Sequence, residues 1–267
     1  MIIKETADLV IERYGSSEID SIRITDIRIG MLLTAVRLSD GRAGTAATFS
    51  ADHPFCQRVD RDFGPLTPTK IKGTPVTEIL YSGKESGIIS SLRMAVLNAL
   101  SSSLLEKGDY KIFRKKDPFD FLNLTGARQV TIVGAFQSYI RKISETGRRL
   151  NVLEMNEEAL SLEQRKYFVP AAEYASVIPA SDIVIITGQT LVNGTIDNIL
   201  NSVSDGSQVI VTGPSSGILP DILFRNKVSV TGTLQITNSD ILFDVVGEGG
   251  TGFHLFEYCA EKLTIVK

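Results

Sequence analysis

Hydrophobic and polar positions change rhythm about midway along this chain. From Ile22 to Phe49 they alternate, through "DIRIGMLLTAVRL", the turn "SDGR" and "AGTAATF", with the period of a half-buried antiparallel sheet. Asp40-Gly41 between two extended runs predicts a hairpin. After a stretch punctuated by proline and glycine from His53 to Thr77, "ESGIISSLRMAVLNALSSSLLEKG" sets apolar residues at helical spacing and stops at Gly108. Its alanines, serines and glycine suit a helix lying close against a sheet.

The second half reads as short continuous apolar runs separated by helix-like segments. "QVTIVGAF" (129–136), "LNVLEMN" (150–156), "DIVIITG" (182–188), "QVIVTGPS" (208–215) and "VSVTGTL" (228–234) have the character of strands buried on both faces. Between them lie "SYIRKISETG", a helix around 157–178, "TIDNILNSVSDG" and "LPDILFRN". That order predicts an α/β fold: an α+β unit of hairpin or meander plus helices over residues 1–117, then a doubly wound parallel sheet over 118–267. The boundary falls near Lys115-Lys116-Asp117-Pro118. A chain of 267 residues is long enough for two units at roughly 100–200 residues each.

Composition narrows the partners. Apolar residues make up 43% and charged residues 22%, the balance of a soluble globular protein. The net charge of −3 is spread over both halves and leaves no basic field, so neither nucleic acid nor an anionic membrane is expected as a partner. The opening "MIIKETADLVIERYG" lacks the long apolar run of a signal peptide, and no window approaches the 18 apolar residues of a membrane span. Cys56 and Cys259 are the two cysteines. With no export signal they point to a reducing, cytoplasmic location rather than a disulfide framework.

Candidate chemistry gathers at the predicted strand ends, where ligands bind in open parallel sheets. The tips are Gly134-Ala135-Phe136, Glu154, Thr187-Gly188, Thr212-Gly213-Pro214-Ser215 and Thr231-Gly232-Thr233. Any one glycine there is explained by a tight turn, and Asn193 or Thr195 by capping the next helix, but several adjacent tips of one character point to a ligand rim. A dinucleotide requires a glycine fingerprint after the first strand. "VGAFQSYI" has one glycine, although Glu154, twenty positions after Gly134, stands where an acid grips a ribose. For metal, "HPFC" (53–56) and "HLFEYC" (254–259) lack the paired spacing of a specific site. Glu248, in the glycine-rich "VVGEGGTG", supplies an oxygen donor, which favours hard cations. "GPSSG" lacks the order of a serine-hydrolase nucleophile turn.

"DIVIITGQTLVNGTIDNIL", "VIVTGPSSGILPDILF" and "VVGEGGTG", in this order, resemble the family of unknown function described as putative heavy-metal chelation. Its members pair a carboxy-terminal Rossmann-like domain with a domain resembling the enolase N-terminal domain. The likeness runs from about residue 120 to the end, and more loosely through the hairpin and "RMAVLNAL" in the first half. It implies a cleft between the two domains, lined by Thr187, Gly188, Thr190, Asn193, Gly194 and Thr195, by Gly213, Pro214 and Ser215, by Glu248, Gly249 and Gly250, and by Asn98. The family loop reads Thr-Gly-Thr-Thr, so Gln189 departs at one position. A divalent metal would take Glu248, Glu154 and His53. The implied function is binding of a metal or a metal-associated small molecule by a homodimer. The alternatives are an enzyme acting on a small anionic metabolite or on a nucleotide-type ligand resembling S-adenosylmethionine or NAD, and a scaffold protein.

Overall fold

The computed structural model describes residues 1–49, 63–84 and 86–267. Ile2, Thr6, Ala7, Val10 and Tyr14 recur at helical spacing and form the buried face of α1, Ile2–Tyr14. Gly15 stops that helix at φ 77°, and a single turn follows, α2, Ser16–Ile19. The alternating stretch becomes a three-stranded antiparallel sheet in the order β1 (Ile24–Ile29), β2 (Leu33–Leu38), β3 (Ala43–Ala47). The hairpin turn lies where Asp40-Gly41 predicts it, with Gly41 at φ 86° and the Asp40 carboxylate accepting from the Arg42 N–H.

A short α3, Val76–Leu80, precedes the long helix α4, Gly87–Lys107. Ser86 caps α4 by accepting from the Ile89 N–H, and Gly108 ends it as the sequence predicts. By length and composition alone α4 is apolar enough to cross a membrane, which corrects the expectation that no window approaches such a span. In the fold it packs on β2, β3 and α3, and 67% of its most apolar window is buried.

The remaining elements are β4 (Lys111–Arg114), β5 (Gln129–Val133), α5 (Gln137–Ser144), β6 (Arg149–Glu154), β7 (Phe168–Pro170), α6 (Tyr174–Val177), β8 (Ile183–Thr187), α7 (Gln189–Val192), α8 (Ile196–Asn201), β9 (Gln208–Thr212), α9 (Asp221–Arg225), β10 (Val230–Ile236), α10 (Ser239–Gly247), α11 (Gly252–Tyr258) and β11 (Ala260–Val266). Among the described residues they build an eight-stranded sheet, ordered β4-β11-β10-β9-β8-β5-β6-β7. The run from β7 to β10 is parallel, and its order, with the reversal between β5 and β8, is that of the doubly wound nucleotide-binding sheets.

All five strands read from the sequence are present. The sheet is mixed rather than wholly parallel, because β11 pairs antiparallel with β10, and β4 pairs antiparallel with β11. The single helix expected around 157–178 is instead a chain of short turns with β7 and α6. Pro170 sits in its middle and cannot sustain a helical hydrogen bond.

Burial explains the continuous apolar runs. Along β8, Val184 and Ile186 enter a core that also holds α1 and α4, while Ile183 and Ile185 face a second core under α5. A third, smaller core joins Leu33 and Ala35 of β2 to α10 and α11. The first and third cores each take side chains from both halves of the chain.

Candidate functional site

The reversal between β5 and β8 opens a crevice at the carboxyl ends of β5, β6, β7 and β8. It is a cleft of about 670 Å³, within the range of small-molecule sites. Val133, Leu153, Ala171, Tyr174 and Ile199 form its walls, and Glu154, Thr187, Gln189, Asn193 and Thr195 supply its polar groups. Gly134 turns the chain out of β5 at φ 101°, and a Cβ there would lie 3.0 Å from the Thr187 side chain. The absence of a side chain lets the two strand ends close up on each other.

Local hydrogen bonds fix which polar atoms face the cleft. The Thr190 hydroxyl donates to the Thr187 carbonyl at 2.7 Å, closing the turn into α7. Asn193 Oδ1 accepts from the Thr195 N–H at 3.1 Å and from the Thr195 hydroxyl at 2.7 Å. The Asn193 oxygen is therefore engaged, and its amide N–H groups are the part offered to a ligand. Glu154 Oε1 accepts from the Met155 N–H at 2.7 Å, and Oε2 has no protein donor among the described residues. Glu154 is the one carboxylate lining the cleft, and no lysine, arginine or histidine lines it among the described residues.

Thr187 and Gln189 are shared with a smaller cleft of about 200 Å³, bounded by Gly213, Pro214 and Ser215, by Leu33 and Ala47 of the first sheet with the adjoining Leu32, and by Thr251 and Gly252. Ser215 is buried there, and its Oγ accepts from the Ala47 N–H at 2.8 Å. That hydrogen bond ties the β9 loop to the end of β3, which is a structural task for a residue read from the sequence as a ligand contact.

The structure thus gathers Glu154, Thr187, Thr190, Asn193 and Thr195 in one cleft and Gly213, Pro214 and Ser215 in its neighbour. Gly188 and Gly194 shape the turns beneath; Gly188 donates its N–H to the Thr212 carbonyl and Gly194 adopts φ 76°. Four other candidates lie elsewhere. Asn98 is buried behind Pro214, donating to the Thr45 and Pro214 carbonyls. Glu248 and Gly249 are exposed at the end of α10, and Gly250 packs on Val245, where a Cβ would come within 2.4 Å of Cγ1. The same glycine-rich segment reaches the smaller cleft through Thr251 and Gly252, whereas Glu248 lines neither cleft. His53 and Cys56 lie outside the described residues. Tyr174 and Ala171 are not legible as site residues, because the stretch 157–178 reads as one helix and the structure breaks it into short turns.

Residues 117–265 match the family model described as "Putative heavy-metal chelation", DUF364, and residues 11–101 match a second model, DUF4213, of the same description. The chain belongs to this family, DUF364. A DUF364 protein of unknown function from Pyrococcus horikoshii shares the fold over 100% of both chains, at a TM-score of 0.80 and 20% identity. A second, from Desulfitobacterium hafniense DCB-2, does so over 99% of this chain and 98% of its own, at a TM-score of 0.72 and 16% identity. No curated protein matches the sequence.

The donor set is the first test of the family's description. Among the described residues no three His, Cys, Asp or Glu side chains come together. His254 Nδ1 accepts from the Thr251 N–H at 3.0 Å in a capping box at the start of α11. Cys259 is buried, and burial pushes its thiol up, away from the thiolate that binds metal. Soft metals prefer thiolate and imidazole, and the described residues of the cleft offer one carboxylate with hydroxyls and amides. These side chains do not fit a heavy-metal centre.

Proposed function

We propose that this protein binds a small hydroxyl-bearing organic molecule of nucleoside type, without a phosphate chain, in the cleft at the β5/β8 reversal. The supporting observation is Glu154. It ends the second strand of the doubly wound order, where an acid in such sheets accepts hydrogen bonds from a ribose diol, and its Oε2 has no protein partner among the described residues. Apolar walls and Tyr174 suit a flat ring beside the sugar. The cleft has neither a cationic side chain among its described lining nor a glycine-rich pyrophosphate loop, so a phosphorylated ligand is disfavoured. A metal, in this reading, reaches the protein as the companion of an organic molecule rather than on the chain's own side chains.

Thermal unfolding with adenosine, S-adenosylmethionine, ATP and divalent metal salts tests this. A nucleoside at a hundred times its Kd is expected to add about 2.7 kcal/mol of stability, while ATP and bare metal leave the melting temperature unchanged. Glu154→Gln removes a charge-assisted acceptor and is expected to weaken nucleoside binding roughly 10- to 100-fold. Stabilisation by metal alone, or equal binding by wild type and Glu154→Gln, would overturn the reading.

A further inference from the structure

Behind Pro214, on the side away from the cleft, the Asn98 side chain reaches a small cavity of about 40 Å³. The amide cannot be turned around. Nδ2 donates to two carbonyls, Thr45 at 2.8 Å and Pro214 at 3.2 Å, so Oδ1 must point the other way. That oxygen is buried and has no hydrogen-bond partner among the described residues, and neither has Oγ1 of Thr233, a residue only 5% exposed. Native proteins rarely leave such atoms unmatched.

Both orphan oxygens converge on one spot. A Cβ on Gly217 would fall 2.9 Å from Thr233 Oγ1 and 3.3 Å from Asn98 Oδ1, so glycine keeps the space between them open. At the mouth stands Glu106, whose Oε1 accepts from Gln235 Nε2 at 2.7 Å. Arg114 also lines the cavity, but its guanidinium is directed to Gln235 Oε1. Glu106, Ser102 and Gln235 are shared with a wider outer pocket of about 540 Å³. There Glu18 and Asp40 meet Arg42, which pairs with Asp40, and Lys107.

We propose that this cavity is a second ligand site, taking the ammonium head of a small primary amine, with the amine's tail directed into the outer pocket. Asn98 Oδ1 can only accept, so the occupant must donate. An ammonium group has three N–H donors, matching Asn98 Oδ1, Thr233 Oγ1 and the Glu106 carboxylate at the mouth. The volume admits a head of about three water-sized groups. This site is independent of the nucleoside reading and shares none of its residues.

Methylammonium chloride is the probe, titrated by NMR and thermal unfolding against tetramethylammonium chloride at the same ionic strength. The expected result is saturable binding and stabilisation by methylammonium alone, because the tetramethyl ion has the charge without the donors. Thr233→Val keeps the shape and removes one acceptor, and is expected to weaken methylammonium binding about 10-fold or more. Gly217→Ala fills the cradle and is expected to abolish binding, while Glu154→Gln leaves it as in the wild type. If Gly217→Ala fails to fold, Thr233→Val still decides the matter. Equal effects of the two ions, unaltered binding by Thr233→Val, or a crystal structure grown in methylammonium with water alone on Asn98 Oδ1 would overturn the proposal.

Discussion

Gly44→Ala is expected to destabilise the protein by about 3 kcal/mol, a large cost for one methyl group. For a chain of this size that lowers Tm by roughly 6–12 °C. The position is extended backbone, so alanine itself brings no dihedral strain. The cost is steric: the new Cβ would stand 2.2 Å from the Ala95 carbonyl oxygen, 2.6 Å from the Ala99 nitrogen and 2.9 Å from the Ala99 Cβ, mostly backbone of α4. A side chain in the way can change rotamer, but a helix backbone held in the core can yield only by moving as a body. Helix α4 is also the element whose Asn98 and Ser101 reach across to Pro214 and Leu219, so displacing it loosens the join between the two sheets. Gly126→Ala is the control. Its φ of 80° costs about 1–2 kcal/mol in backbone strain, but nothing stands in the path of its Cβ. Thermal melts of the two variants should differ clearly, and a Gly44→Ala protein melting with the wild type would show that β3 and α4 are free to part.

Asp117→Ala is expected to cost about 2–3 kcal/mol. This residue follows β4 and gathers three partners from distant elements. The Tyr139 hydroxyl on α5 donates to it at 2.5 Å, Lys262 Nζ on β11 at 2.7 Å, and the Phe119 N–H at 3.1 Å. Tyr139 is buried, so loss of the carboxylate removes the acceptor to which its hydroxyl donates. The same carboxylate makes stability depend on pH. Burial pushes its pKa up, but the hydrogen bonds from Lys262 and Tyr139 outweigh burial and hold it below the ordinary carboxylate range. A depressed folded-state value means that the contribution is complete above the unfolded value, near 3.9, and is lost as pH falls through the folded one. Denaturant titrations should therefore give a wild-type advantage over Asp117→Ala that is constant near neutrality and shrinks below about pH 4. Asp117→Asn, which can still accept from Tyr139, is expected to fall between the two and to lose the pH-dependent part. An advantage that persists undiminished in acid would place the stabilisation outside the carboxylate's charge.

Much of the molecule was legible in the amino-acid pattern. The hairpin at Asp40-Gly41, the helix stopping at Gly108 and the five buried strands are local matters, written in periodicities of two and 3.6 residues and in the conformational freedom of glycine. The grouping of the β5, β6, β8 and β9 ends was legible too, because parallel strands with helical crossovers deliver their carboxyl ends to one edge, whereas Thr231-Gly232-Thr233, read as a fifth tip, lies inside β10. Glu154, Thr187, Thr190, Asn193 and Thr195 meet there for that reason. Glu248 is not legible in this way: a glycine-rich segment after an apolar run reads as a strand-end loop, but Glu248 is the exposed C-cap of α10, and it is Thr251 and Gly252 further along that line a cleft.

Tertiary structure alone decided the rest, because it concerns residues far apart in the chain. No local pattern announces that β4 and β11 join the large sheet antiparallel, since pairing depends on which edge remains open once the crossovers have formed. Nor does any window of sequence show that Asn98 and Pro214, 116 positions apart, share a hydrogen bond, or that Asn98 Oδ1 and Thr233 Oγ1 face the same small space. Side-chain periodicity determines which face of an element is buried. What that face is buried against, and which polar atoms are left there without partners, is settled by packing between elements.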